Sequence, residues 1–487
     1  MSRLTRLVTS LTLLLLGVYV SLLSVDAQTL SNKIYLPTVS VTVPSTVFGV
    51  ETSLAGINDS RVFTQAQSLG AEWLRLNGAM WSEVEPVRGA GYNWAALSQL
   101  DLAVANAKAA GMTPVVIVRS TPLWAAVLDR YNVPKKCAAV ADAYLPDYTR
   151  FLVALVQHYQ GQVNYWEIGN EPDVDPAFLL SDDPLGCWGD ISDPYYGGER
   201  YGRMLRTVVP AIRAVDPRIQ IVMGGLLLDT PKTVNPAYGN PELFLEGVLR
   251  AGAADSFDIV AYHSYPWYAQ PNYDHDLDPA PGGRWTSLGG WTLGKARYLQ
   301  EIMARYGVTK TMWLNETGLL CSLYTSTCDS PPIEFFEAHA DYLVRMMCRA
   351  AAAGIKQVTW YTLDGPGWRS AGLLDENQLP RPAFLAYRRM IATVGNYFAV
   401  NNITDYGSNV GTYRFYGSNI EAYRFVKAGS VVDVLWSSDG ATMVVKVPLS
   451  AYRSAMVRDG TTPMVSTDAN YAYVYVGFQA VFIERTS

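Results

Sequence analysis

The sequence predicts an α/β protein, a (β/α)8 TIM barrel followed by a small C-terminal antiparallel β-sandwich. Three observations predict it. Eight short apolar runs alternate with amphipathic stretches of helical spacing across residues 47–394. No glycine-rich phosphate loop follows an early run, which argues against the rival architecture, a doubly wound open sheet. Beyond Met390 the texture changes to short alternating runs separated by turn residues, expected to form a sandwich over 395–487.

The elements follow in order. Residues 1–27 carry Arg3 and Arg6 ahead of an apolar run from Leu7 to about Val25, with small residues near Ala27. This is the pattern of a signal peptide, and the run is long enough for an uncleaved N-terminal anchor. Either places the body in a secreted or extracytoplasmic location. Residues 28–46 are polar and contain proline, as a linker does. The barrel strands are expected at 47–51, 73–77, 114–119, 163–169, 219–224, 257–263, 311–315 and 357–363. Helices are expected at 95–110, 145–159, 201–215, 243–251, 292–306 and 335–352. Gly70, Gly111, Gly161 and Gly354 stand where helices end. The sandwich strands are expected at 412–415, 420–425, 431–436, 443–447, 471–476 and 480–484, with turns at Gly417-Ser418-Asn419 and Asp439-Gly440.

The 487 residues suit a large barrel plus an appendage, and 49% hydrophobic content allows a large core. A net charge of −6 argues against a nucleic-acid partner. Membrane contact is expected only through the possible N-terminal anchor. Four scattered histidines and no C-x-x-C spacing give no metal site, and no cofactor is expected. Five cysteines fit two disulfides and one thiol. The expected pairs are Cys321 with Cys328 and Cys137 with Cys187, leaving Cys348 buried in a helix.

Two carboxylates carry the chemistry. Glu171 ends the fourth expected strand and Glu316 the seventh, each at the close of a short aromatic-rich run. Barrel closure places both at the C-terminal mouth, where barrel active sites lie. A facing pair of carboxylates is what glycosidic bond cleavage needs, one as proton donor and one as nucleophile or base. Their separation would distinguish retention from inversion.

Four segments in this order resemble the glycoside hydrolases of clan A, the retaining barrel enzymes. They are Leu-Arg-Leu-Asn at 74–77 (with Trp81 and the run Glu83 to Pro86), Trp-Glu-Ile-Gly-Asn-Glu-Pro at 166–172, Ala-Tyr-His-Ser-Tyr-Pro at 261–266 and Trp-Leu-Asn-Glu-Thr-Gly at 313–318. Within the clan the chain is most similar to the family 39 β-xylosidase and iduronidase type, or to family 5 cellulase-like relatives. The resemblance implies Glu171 as acid/base and Glu316 as nucleophile, acting on β-linked oligo- or polysaccharides. Trp360 resembles the clan's sugar-stacking floor.

Other residues are expected around this pair. Asn170 is placed to bond a sugar 2-hydroxyl, although strand alternation would turn it away from Glu171 unless the strand ends or bulges there. Arg75 is expected either to pair with Glu167 below or to reach the nucleophile. His263 and Tyr265 share a face at the end of strand six, in reach of Glu316 or a sugar hydroxyl. Trp124 and Trp81 are candidates for sugar contact or for core packing. Trp267, Trp285 and Trp291 could line outer subsites or pack the loop after strand six. The rival function, a non-catalytic carbohydrate-binding scaffold, would need Glu171 or Glu316 to be missing, and both are present.

Overall fold

The computed structural model describes residues 44–179, 186–229, 239–277, 284–321, 328, 330–397, 399–403 and 420–486. The expected signal or anchor, most of the linker, and the strand expected at 412–415 lie outside these. Eight parallel strands close into a barrel in sequential order. They are β1 (Phe48–Thr52), β2 (Trp73–Met80), β3 (Thr113–Arg119), β4 (Tyr165–Ile168), β5 (Gln220–Leu226), β6 (Ile259–Ser264), β7 (Thr311–Thr317) and β8 (Gln357–Trp360). The main outer helices are α1 (Ser60–Leu69), α2 (Ser98–Ala109), α3 (Leu145–His158), α4 (Gly198–Val215), α5 (Phe244–Arg250), α6 (Trp291–Arg305), α7 (Ile333–Ala352) and α8 (Pro382–Val394). Local signals set their ends. Asp59 caps α1 through the Arg61 N–H, and Gly70 closes it at φ +82°. Proline in the first turn starts α3 and α8.

Strand alternation builds the lumen in layers. At the bottom, Trp73, Tyr165 and Trp313 meet with ring centres 5.0–5.4 Å apart. Val115, Val222, Ile259 and Ala261 complete this buried cluster. Two residues further along their strands, Arg75 and Glu167 face the same lumen one layer higher. An aromatic floor therefore lies directly beneath a layer of charge. That floor excludes water and raises the worth of every ion pair above it.

The C-terminal region forms two antiparallel sheets. Strands β9 (Ala399–Asn402), β10 (Ile420–Lys427), β11 (Ser430–Ser437), β13 (Tyr452–Val457) and β16 (Val481–Arg485) make one, in the order β13-β16-β11-β10-β9. Strands β12 (Met443–Pro448), β14 (Val465–Thr467) and β15 (Tyr471–Val476) make the other, in the order β12-β15-β14. The sandwich has its own small core around Leu435, Val445, Val474 and Ile483. Its other face packs on the barrel, since Phe425, Val434, Trp436 and Phe482 belong to the barrel's own hydrophobic cluster.

Buried arginines of α7 stitch this contact. Arg349 donates to Asp274 and Asp276 of the loop after β6 and to Glu421 of β10, at 2.5–3.4 Å. Arg345 lies over the Phe478 ring at 3.6 Å and donates to its carbonyl. Arg458, following β13, pairs with Asp341 and Glu337 of α7. Both expected disulfides are present, Cys137–Cys187 and Cys321–Cys328, with Cα atoms 5.0 and 5.5 Å apart. Cys348 is a buried thiol inside α7. Among the described residues no helix is long and apolar enough to cross a membrane.

Arg349→Ala would leave three carboxylates without their shared cation in a buried setting. It is expected to destabilise the protein by about 3–5 kcal/mol, read as a lowered denaturation midpoint. Because one hydrophobic cluster spans barrel and sandwich, both should unfold in the same transition.

Candidate active site

The two glutamates reach one mouth by different local devices. β4 stops at Ile168, and Gly169 takes a left-handed φ of +84°. Glu171 follows at φ +49°, an unusual value for a residue with a side chain. It is held there because its N–H donates to the Gly225 carbonyl at 3.1 Å. Ending the strand before Asn170 is what lets Asn170 and Glu171 both enter the site. On β7 the device is a bulge. Tyr262 pairs with Leu314, but His263 pairs with Glu316, so Asn315 is an extra residue. Trp313 faces the lumen, and simple alternation would have turned Glu316 outward. The bulge turns it in.

Arg75 lies beneath both and is fully buried. Its Nε and Nη2 hold Glu167 at 2.8 and 2.9 Å. Nη2 also donates to Asn170 Oδ1 at 2.7 Å, and Nη1 to Glu316 Oε2 at 2.5 Å. The same Nη1 bonds Glu51, at the end of β1. The guanidinium thus bonds Glu167 and Glu316 at once.

Glu316 and Glu51 share one donor but differ in charge state. Burial disfavours ionisation of Glu316, but His263, Arg75 and the Tyr265 hydroxyl outweigh it and lower its pKa. Tyr265 donates to Glu316 Oε1. Glu51 has Arg75 alone, and burial with the nearby Glu316 and Glu167 charges pushes it up to about 8. Near neutrality Glu316 is therefore ionised while Glu51 holds a proton.

His263 stands between the acids. Its Nδ1 is 2.8 Å from Glu171 Oε1, and its Nε2 is 3.6 Å from Glu316 Oε2, without a hydrogen-bond partner. Burial works against an imidazolium here, but Glu316 and then Glu171 overcome it and raise the pKa. Gly225 makes room for the ring: a Cβ there would lie 2.1 Å from Nε2. Asp173, two residues after Glu171, accepts from the Leu227 and Leu228 N–H groups at 3.0 and 2.6 Å and ties the Glu171 turn to the end of β5.

The aromatic expectations need correction. Trp360 is fully buried on the outward parity of β8, like Val358, with Nε1 donating to the Ala371 carbonyl and the ring against His339 of α7. It cannot be a sugar-stacking floor. Tyr361, one residue on, faces the site instead: burial, then Glu51 and Glu316, raise its hydroxyl pKa. Trp81 is also buried, stacked near Phe151 and bonded to Glu85, so it packs the core. Trp124 is half-buried against Trp81 and Tyr144, in the same packing cluster. Trp285 and Trp291 are buried around Lys295. Residues outside the sequence expectations are Glu51, Tyr361 and Trp368. Glu51 ends a strand that carries no motif, and its lumen-facing parity was the available signal.

Glu171, His263 and Glu316 also form the one group among the described residues with ligand atoms close enough to hold a metal, within 4.8 Å of one another. A cation there would have to displace the His263–Glu171 hydrogen bond and sit beside the Arg75 guanidinium. The donor set is thus already occupied by positive charge from the protein's own side chains.

No family model matches the sequence, and no curated protein matches it. Solved structures do resemble it. One is a family 39 glycoside hydrolase from the gut symbiont Bacteroides cellulosilyticus WH2, with TM-score 0.61 and 19% identity over 91% of this chain and 81% of that chain. Another is a glycoside hydrolase family 30 subfamily 8 xylanase from Clostridium acetobutylicum, with TM-score 0.56 and 14% identity over 90% and 96%. A third is a family 51 α-L-arabinofuranosidase from Bifidobacterium longum, with TM-score 0.55 and 12% identity over 91% and 96%. At these identities the likeness is one of fold.

The raised Glu51 carboxyl sets a pH dependence. The native state keeps a proton that the unfolded chain releases, so this group's contribution to stability falls as pH rises from about 4.5 to about 8. Glu51→Gln is expected to flatten that decline in a series of thermal melts across this window. An unchanged slope would mean that Glu51 is ionised in the folded protein.

Proposed function

We propose that this chain is a retaining glycoside hydrolase that cleaves β-linked sugars in oligo- or polysaccharides. One observation carries the reading. A carboxylate oxygen of Glu171 lies within 4.8 Å of one on Glu316, across a shared histidine. Carboxyl groups about 5–5.5 Å apart suit a covalent glycosyl intermediate, whereas inversion needs about 6.5–9.5 Å to admit a water between them and the sugar.

In this reading Glu316 is the nucleophile. Arg75 and Tyr265 hold its two oxygens apart in orientation and favour its ionised form. Glu171 is the acid/base. It shares a proton with His263 Nδ1, gives one to the leaving oxygen, and takes one from water in the second half-reaction. Asn170, oriented by Arg75, is assigned to the sugar hydroxyl next to the anomeric carbon, and Tyr361 to the face of the reacting ring. The fold likeness supports a sugar substrate, and the xylanase and arabinofuranosidase named above guide the choice of test substrates. The two disulfides support an extracytoplasmic location.

Hydrolysis of aryl glycosides by wild type, Glu171→Gln and Glu316→Gln tests the assignment. Each variant is expected to lose at least ~10²-fold in kcat/KM. Azide should rescue Glu316→Gly and give a glycosyl azide of inverted configuration. Equal rates in all three enzymes would end the catalytic reading.

Gly225→Ala supplies an independent check. Its new methyl would stand 2.1 Å from His263 Nε2 and 2.6 Å from Asn315 Oδ1, so the imidazole must shift from its present register with Glu171. A loss on the order of 10²-fold in kcat is expected, as for ångström-scale misplacement of a reacting group. An unperturbed rate would show that His263 does not hold Glu171.

A further inference from the structure

Trp368, after β8, is 48% exposed, unlike the buried tryptophans of the barrel. It stands edge-to-face with Tyr265, ring centres 5.8 Å apart, and Tyr265 bonds the nucleophile candidate. The open indole is therefore one phenol ring removed from Glu316.

Its setting is built from three loops. Trp267 comes from the loop after β6, Leu320 and Cys321 from the loop after β7, and Trp368 with Arg369 from the loop after β8. Backbone bonds join them: Tyr268 N–H to Leu320 O at 2.8 Å, Leu320 N–H to Pro266 O at 3.1 Å, and Cys321 N–H to Arg369 O at 3.2 Å. Tyr265, Leu320 and Ala371 form a small apolar cluster beneath, with Trp267 and Tyr361 packed against it. The Arg369 guanidinium lies 4.6 Å from the Trp267 ring centre and 4.9 Å from that of Trp368. This cation fixes the indole plane before any ligand arrives. Arg381 holds the loop from below through the Pro366, Ser370 and Gly372 carbonyls at 3.1–3.2 Å.

An indole so fixed yet half open is a preorganised stacking surface, with little ordering cost left to offset binding. We propose that Trp368 is a platform for a second saccharide ring, on the glycone side of the bond that is cleaved. The side follows from its neighbours. Trp368 packs on Tyr265, the partner of Glu316. Glu171, which would serve the leaving group, projects from β4 across the barrel. The axial C–H groups of a sugar ring would lie on the indole face, as apolar groups do on aromatic rings. This inference rests on the glycosidase reading above and adds an oligosaccharide preference to it.

The test compares 4-nitrophenyl monosaccharides with their disaccharide counterparts: β-xyloside with β-xylobioside, and β-glucoside with β-cellobioside. Wild type is expected to prefer a disaccharide glycoside in kcat/KM. Trp368→Ala should lower the disaccharide-to-monosaccharide ratio about tenfold, mostly through KM, as truncation of a central aromatic contact does. Trp368→Phe, which keeps a ring, should recover most of the ratio, and a mere folding defect would lower both substrates together. An unchanged ratio in Trp368→Ala overturns the platform while leaving the glycosidase reading intact. Failure of wild type on every substrate overturns both.

Discussion

A single buried guanidinium organises this molecule's mouth. Arg75 is sealed from water and always charged, so it requires partners wherever it lies. It finds carboxylates on three different strands, Glu51 on β1, Glu167 on β4 and Glu316 on β7, together with Asn170 beyond β4. Its planar fork holds Glu167 with two parallel bonds, which fixes the orientation of the other donors. The position of Glu316 is thus referred to the barrel wall rather than to a mobile loop. Precision of that kind is what the proposed role of Glu316 needs.

Glu51 and Glu316 share one donor of Arg75 in a buried setting, and their pKa values are pushed in opposite directions. The imbalance is resolved by what else each one touches. Glu316 has the Tyr265 hydroxyl and the His263 ring in addition to Arg75, and its ionised form is favoured. Glu51 has no such help, and burial pushes its pKa up to about 8. The aromatic floor of Trp73, Tyr165 and Trp313 below sharpens the difference, because a dry lumen screens charges weakly. A structural layer and a chemical layer are therefore coupled: the one that closes the barrel also tunes the carboxylates standing on it.

Much of this was legible in the sequence, and the limits have physical causes. The barrel was readable because buried parallel strands are continuous apolar runs while the helices between them keep a polar face. Glu171, Glu316, Asn170, His263 and Tyr265 were readable as candidates because each stands at a strand end beside residues that break the strand. Trp360 misled because the residue that enters a barrel mouth depends on strand parity and on where the strand stops. A one-residue difference moved the inward ring to Tyr361. The bulge at Asn315 was hidden for the same reason, since nothing in Leu-Asn-Glu announces an extra residue. Strands β9, β13 and β14 are short or half-exposed edges with weak alternation, so no local pattern marks them. Trp368 sits in a loop whose shape depends on contacts with two other loops, which no local pattern encodes.

The sandwich belongs to the same logic as the barrel wall. Helix α7 is buried along nearly its whole length, including Arg345, Arg349 and Asp341. An outer barrel helix normally shows water one polar face, so burial on every side means a second layer covers it. The apolar part of that cover is Trp436, Phe482 and their neighbours, continuous with the barrel core. The charged part is Glu421, which shares Arg349 with Asp274 and Asp276. Those aspartates lie in the same loop after β6 as Tyr265, the partner of Glu316. The arginines of α7 would be strongly disfavoured under an apolar sheet without these acids, and the acids without the arginines. Wall, sandwich and the loop after β6 thus stabilise one another through one set of buried charges, and the C-terminal strands act as part of the scaffold that carries the mouth.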